Sequence, residues 1–250
     1  MQINMKLSFT VLSFICLTSY GQTVKFQEIK LKPNAKYYNT SEKTITYPLV
    51  VTANKIIDSL INSQIKADLF ETDAENQSVG EILAEHINEY GLINLSYEVT
   101  YNSYGVLSFS VFREGCGAHC SSQETYFNFD VKTGKEITIN DLILDNKLDS
   151  FRNVVFADKV KALNKYKIEE KNIADMDSVT IDWALQQVDE SCINNINIDD
   201  FSLSGLNLEI KDICEFPHAI RSQEPSYELK YTFSSLSGFL KPGFKKIFLR

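Results

Sequence analysis

Two periodicities divide the chain. Period-two alternation marks strands with one face turned to a core. It appears in "TVKFQEIKL" (23–31) and "KTITYPLVV" (43–51). The next segment, "NKIIDSLINSQIKADLF", changes to a helical period, with Ile56, Ile57, Leu60, Ile61, Ile65 and Leu69 on one expected buried face. A second helix is predicted over "SVGEILAEHINEYG". Ser78 and Glu81 have capping-box spacing, Gly91 is the terminator, and Val79, Ile82, Leu83, Ile87 and Tyr90 form its stripe.

Alternation returns in "NLSYEVTYN", with Leu95, Tyr97, Val99 and Tyr101 on one face. "SYG" turns the chain and "VLSFSVF" comes back as a hairpin partner. "TYFNFDVKTGKEITI" reads as strand, tight turn, strand. Asp130 opens that turn and Gly134 supplies its positive φ. Asn140 is the expected cap of a short helix at "DLIL". "KLDSFRNVVFADKVKALNKY" is an amphipathic helix. "SVTIDWALQQVDE" is another, capped by Ser178 and burying Ile181, Trp183 or Ala184, Leu185 and Val188. "FSLSGLNLEI" and "YELKYTFSSL" return to sheet. The sum predicts an α+β fold: antiparallel hairpins with amphipathic helices packed on one side. One domain over 22–250 is expected, with two lobes, 22–145 and 146–250, as the possible subdivision.

The N-terminus changes the compartment. Lys6, the apolar run "LSFTVLSFICL" and the small residues of "TSYGQ" make a signal peptide over 1–21. The run is shorter than the roughly 20 residues of a membrane span. Ile15 before Cys16 lacks the small residue of a lipidation signal. The chain is therefore expected to be exported, periplasmic or secreted, with no membrane span after cleavage. Of 250 residues, 25 are basic and 33 acidic. Cleavage removes Lys6 alone among the charged residues, which moves the net charge from −8 to −9. That balance disfavours nucleic acid and anionic membrane surfaces as partners.

Four cysteines follow the cut: Cys116, Cys120, Cys192 and Cys214. An even count in an exported chain favours disulfides, and the pairing preferred is the local one, Cys116–Cys120 with Cys192–Cys214. Zinc is the competing reading: Cys116, His119 and Cys120, with Cys214 and His218, could supply ligands. The spacing repeats no Cys-x₂-Cys knuckle, so no metal and no cofactor is expected. A nucleophilic Cys120 with His119 as its base is disfavoured, because adjacent residues of an extended segment point to opposite faces. His86 reads as a half-buried packing residue, and Asp199–Asp200 as a solvated turn without the ligand pattern of a calcium loop.

The segment "YEVTYNSYGVLSFSVF…GAH…YFNFDVKTGKEITINDLI" resembles an extracytoplasmic family of uncharacterised domains. Members form the outer part of the lysozyme-sensing anti-sigma-V factor and the N-terminal part of a peptidoglycan deacetylase. The most specific residues are "NFDVKTGK" and the Asp141-Leu142 pair. The resemblance implies an envelope protein that binds, and no Asp-Asp pair with a His-x-x-x-His motif accompanies it here. The family loop "GGAH" is "GCGAHC" in this chain, so the cysteines are an addition to it.

The expected function is thus a non-catalytic binding module for an envelope protein or a peptidoglycan-related glycan, with lysozyme-type enzymes as the first ligand class. Its contact surface is expected on the loop of Glu114, Gly117, His119 and Gln123. A structural subunit of an envelope complex, and a hydrolase using His119 or His218, remain as alternatives. N-terminal sequencing of exported protein should find Gln22 first; a product retaining Lys6 would contradict the leader.

Overall fold

The computed structural model describes residues 23–37, 42–70, 77–171, 177–194 and 196–249. The leader and its cleavage site, together with Cys16, lie outside the described residues. So does the side chain of His218.

A six-stranded sheet carries the first half of the chain. Its strands are β1 (Lys25–Leu31), β2 (Ile45–Val51), β3 (Leu92–Ser103), β4 (Val106–Cys116), β5 (Cys120–Asp130) and β6 (Lys135–Glu136), in that spatial order. All neighbours are antiparallel except β2 and β3, which pair in parallel. The parallel step follows from two helices that intervene there, α1 (Lys55–Phe70) and α2 (Val79–Asn88), since a parallel pair needs a crossover. The sheet is therefore mixed and not built of hairpins alone.

Both helices cover one face of it. Ile57, Ile61, Ile65 and Leu69 of α1 and Ile82, Leu83 and Ile87 of α2 pack on Leu95, Leu107, Phe109, Val111, Phe127 and Phe129. Each such side chain contributes about 1.5–3 kcal/mol on burial. Two residues expected in the α1 stripe are not in it. Ile56 is 72% exposed and Leu60 51%. They sit one position ahead of the i, i+4 row, about 100° round the helix. Tyr90 is also outside the core, because α2 ends at Asn88. The Ser78–Glu81 capping box forms as expected.

The register of β3 on β4 slips at two places, between Leu92 and Asn94 and between Val99 and Tyr101. Val99 is consequently exposed, Tyr97 stacks on Phe26 in the first core, and Tyr101 packs on Phe248 in the second. The turn after β5 forms as its residues dictate. Gly134 has φ +73°, and its N–H and that of Thr133 donate to the Asp130 carbonyl.

The rest of the chain forms α3 (Ile139–Leu142), α4 (Leu148–Glu170), α5 (Ser178–Gln187), the three-stranded antiparallel sheet β7 (Phe201–Leu203), β8 (Asn207–Ile210) and β9 (Leu229–Thr232), and α6 (Pro242–Phe248). Two caps differ from expectation. Thr138, not Asn140, begins α3, and its N–H and hydroxyl both donate to Asp141. Asp177, not Ser178, caps α5 by accepting from the Thr180 N–H. In α5 the buried residue is Ala184, while Trp183 is 40% exposed.

The helices do not all lie on one side of a single sheet. The face of β4 and β5 opposite α1 and α2 is covered by the second sheet. There Ser108, Ser110 and Asn128 are buried. Leu203 N–H donates to Ser108 Oγ at 3.0 Å, and Asn128 Nδ2 donates to the Phe201 carbonyl at 2.8 Å. These side chains satisfy the edge of β7, which would otherwise bury unpaired backbone groups. The second core also draws Ile137, Ile139, Leu142 and Ile143 onto residues from 151 to 248, so it spans residue 145.

Behind the second sheet lies a buried ion pair. Lys159 Nζ of α4 meets Asp212 Oδ2 at 2.6 Å, with both side chains at most 4% exposed. Asp212 also accepts from Tyr227 OH and the Asn197 N–H. Its acceptors are well used, which a buried carboxylate requires. Substituting Lys159→Met alone should strand that charge and lower stability by roughly 3–5 kcal/mol, measured by urea unfolding. Adding Asp212→Asn, which removes the charge and keeps an acceptor for Tyr227 and the Asn197 N–H, should recover most of the loss; a double variant no better than the single would contradict the pair's assignment.

Candidate functional site

The β4–β5 hairpin frames the candidate site. Its ladder runs in register from Val106↔Asp130 to Cys116↔Cys120. A tip of Gly117, Ala118 and His119 closes it, with Gly117 N–H donating to the His119 carbonyl. Cys116 and Cys120 are disulfide-bonded across the last pair, with Cα atoms 4.0 Å apart. The second bridge joins Cys192, at the end of a π-helical turn after α5, to Cys214. The local pairing is thus the one present, and the three cysteines of the zinc reading, Cys116, Cys120 and Cys214, are all engaged in it. Among the described residues no three His, Cys, Asp or Glu side chains gather as metal ligands.

Gly91 locks the end of α2 against the tip end of this hairpin. Its carbonyl accepts from the Cys116 N–H at 2.8 Å. Its φ is +70°, and a Cβ there would lie 2.0 Å from the Cys116 carbonyl oxygen. Only glycine permits that approach. The contact delivers His86 and Tyr90 to the hairpin's flank, with His86 packed between Phe70 at 4.8 Å and Tyr90 at 4.9 Å.

Opposite stands the segment after Cys214, which is tied by its bridge, by Phe216 and by Ile220 into a third apolar cluster with Leu163, Ala184 and Val188. Phe216 N–H donates to Glu224, and Glu224 lies 3.6 Å from Arg221 Nε. Lys211, just upstream, sits 5.2 Å over the Tyr126 ring. Burial, followed by the neighbouring Glu124 carboxylate, pushes the Tyr126 phenol well above its ordinary pKa.

Between these walls runs a groove of about 1030 Å³. Phe70, His86 and Tyr90 give it an aromatic side, while Phe112, paired opposite Glu124, and Ile213 face it from the second wall. Its carboxylates are Glu85, Glu124, Glu215 and Glu224; its cations are Arg113 and Arg221. Arg113 is held in place, donating to the Leu69 carbonyl and to Gln123 Oε1. The groove is therefore amphipathic and carries more carboxylates than guanidinium groups. A separate acidic group, Glu136 and Asp200, lies at the β6–β7 junction, where burial raises both carboxyl pKa values above the usual range.

The residues singled out from sequence fall unevenly on this surface. Gln123 lines the groove. Glu114 is half-buried in an ion pair with Lys43 at 2.5 Å. Gly117 and His119 are exposed at the tip, beyond the groove lining. His218 opens the short helical turn His218–Gln223. Arg113, Phe112, Tyr90, Glu124 and the 213–224 wall had no local signal, because the wall is about 100 residues away in sequence and reaches the hairpin only through the tertiary fold.

Replacing both cysteines of a bridge by serine should cost about 3 kcal/mol for Cys192–Cys214 and about 2 kcal/mol for Cys116–Cys120, from the loop lengths closed. Chemical unfolding of the two double variants checks this order; the reverse order would contradict it.

No protein-family model matches the chain, and no curated protein matches it. Two solved structures are similar in fold. One is a member of the DUF3298 family from Bacteroides fragilis, with 13% identity and a TM-score of 0.59, covering 89% of this chain and 95% of its own. The other is a DUF3298 family protein from Pseudomonas aeruginosa PAO1, with 13% identity and a TM-score of 0.55, covering 88% and 95%. The mixed α+β architecture of this chain is thus one that members of an uncharacterised-domain family also adopt.

Proposed function

We propose that this chain is an exported, non-catalytic binding module of the cell envelope. Its ligand is a protein or a glycan, with lysozyme-type enzymes the first class to test. The groove carries this reading: its aromatic side offers contact area, its carboxylates offer acceptors, and two bridges hold its walls before a ligand arrives. Ordering the walls beforehand lowers the entropic cost of association.

Further observations support it. The two disulfides suit an oxidising compartment, and no described helix is long and apolar enough to cross a membrane. The groove's carboxylates are partly engaged within the protein: Glu124 accepts from Tyr126 OH, and Glu224 accepts from the Phe216 N–H. The family resemblance of the middle segment points to the envelope. A net charge near −9 after leader removal would speed encounter with basic enzymes such as lysozymes at low salt. The structural-subunit alternative draws on a different surface, where Ile168, Val179 and Trp183 of α4 and α5 are exposed.

Calorimetric titration with lysozyme at low salt, and again well above physiological salt, tests the proposal. Specific binding should persist in high salt and weaken about tenfold when Cys116 and Cys120 are both changed to Ser in a variant that retains its circular dichroism. Heat that vanishes with salt would reduce the interaction to nonspecific charge attraction and remove lysozyme from the reading.

A further inference from the structure

We infer that the outer edge of β5 receives an added strand, an extended basic segment of a partner protein. The inference rests on the binding reading above and narrows its ligand to protein.

The geometry begins with β6. That strand is two residues long and pairs only with Phe129 and Asp130. β5 itself runs eleven residues. Its inner edge pairs with β4 along its whole length. Among the described residues, its outer edge beyond β6 pairs with no other strand. The direction of its backbone groups follows from one bond. Ile137 N–H donates to the Asn128 carbonyl at 2.7 Å, so residue 128 aims its backbone outward, to the β6 side. Backbone direction alternates along a strand. Tyr126, Glu124 and Ser122 therefore also aim an N–H and a C=O outward. Among the described residues, no backbone or side-chain hydrogen bond reaches that edge between Ser121 and Tyr126.

The groove is wrapped around this edge. Ser121, Ser122, Gln123 and Glu124 all line it. Successive strand residues project to opposite faces. Gln123 goes with Arg113 to the helix side, whereas Ser122 and Glu124 go to the side of Ile213 and Glu215. A cavity lined by all four must pass over the strand's outer rim. The opposite rim of the same sheet is different. β1 carries exposed Lys25, Glu28 and Lys30, the charged protection usual on an edge that is not to be paired. The β5 rim is walled on both sides instead, which is the form of a strand-accepting slot.

The walls select the occupant. A strand laid on β5 would direct alternate side chains to each wall. Those on the second-lobe side meet Glu124 and Glu215, with Ile213 between apolar positions. Those on the helix side meet Tyr90, His86 and Gln123. Lys or Arg at alternate positions satisfies the first wall, and small polar or aromatic residues satisfy the second. A glycan offers none of the in-line N–H and C=O groups that the rim requires.

The probe is a short peptide of alternating lysine and threonine, with a neutral chitooligosaccharide in parallel and lysozyme as a third arm. The variant is Ser122→Pro. It deletes one outward N–H and spares the bonds to β4, as proline is tolerated on edge strands. Amide NMR should show Ser122 and Glu124 shifting and exchanging more slowly with the peptide. Ser122→Pro, with its remaining spectrum intact, should bind the peptide about tenfold more weakly. If the variant misfolds, Glu124→Lys, which leaves the backbone untouched, should weaken the peptide by a similar factor. Peptide binding that ignores both variants overturns strand addition. So does a chitooligosaccharide that shifts the same amides where the peptide does not. Lysozyme binding unaffected by Ser122→Pro overturns strand addition while sparing the binding reading; absence of binding by all three probes overturns both.

Discussion

Strand β4 is the element on which the two halves of the molecule depend. It is paired on both edges and covered on both faces. Leu107, Phe109 and Val111 enter the first core, while Ser108 and Ser110 lie buried against the second lobe. The serine face is the less obvious half of that arrangement. An apolar face would have pressed β7 against carbon and left its edge N–H and C=O groups without partners, at about 1–3 kcal/mol each. Ser108 and Asn128 meet that demand with two buried hydrogen bonds. They also fix where β7 sits on the large sheet, because a hydrogen bond has a preferred direction and apolar packing does not.

The groove follows from this docking. Once β7 is seated on the inner ends of β4 and β5, the hairpin's outer end extends past the second sheet. The chain after β8 then climbs beside it, tied back by Cys192–Cys214. On the other flank, the glycine-only contact of Gly91 with Cys116 brings in α2. Three constraints of different kinds, a polar seam, a disulfide and a steric exclusion, thus set the walls. None of them needs a ligand to form, which suits a surface that binds without rearrangement.

Local chemistry was readable in the sequence wherever a few adjacent residues decide the outcome. The Ser78–Glu81 capping box, the turn from Asp130 to Gly134 and the Cys116–Cys120 pair are such cases. Each depends on spacing alone. Features set by a distant surface were not readable. The alternation of β4 is the same whether its serines meet water or a second sheet. Ile56 and Leu60 obey a helical period as well as Ile57 and Ile61 do, and only the position of the sheet decides between them. For the candidate site, the cysteine loop lies on the hairpin that borders the groove, and Gln123 lines that groove. His119 and Gly117 do not line it, because the loop's conspicuous residues sit at the tip while the groove lies along the strands below it.

Hydrogen exchange over the whole chain, with and without saturating lysozyme, tests the central claim most directly, since protection reports where backbone amides become buried or paired. The account predicts slowed exchange confined to 112–124 and 213–224, the two walls of the groove, with α4 and β1 unchanged. Slowed exchange centred on α4 and α5, or spread evenly without preference for the groove, would contradict it.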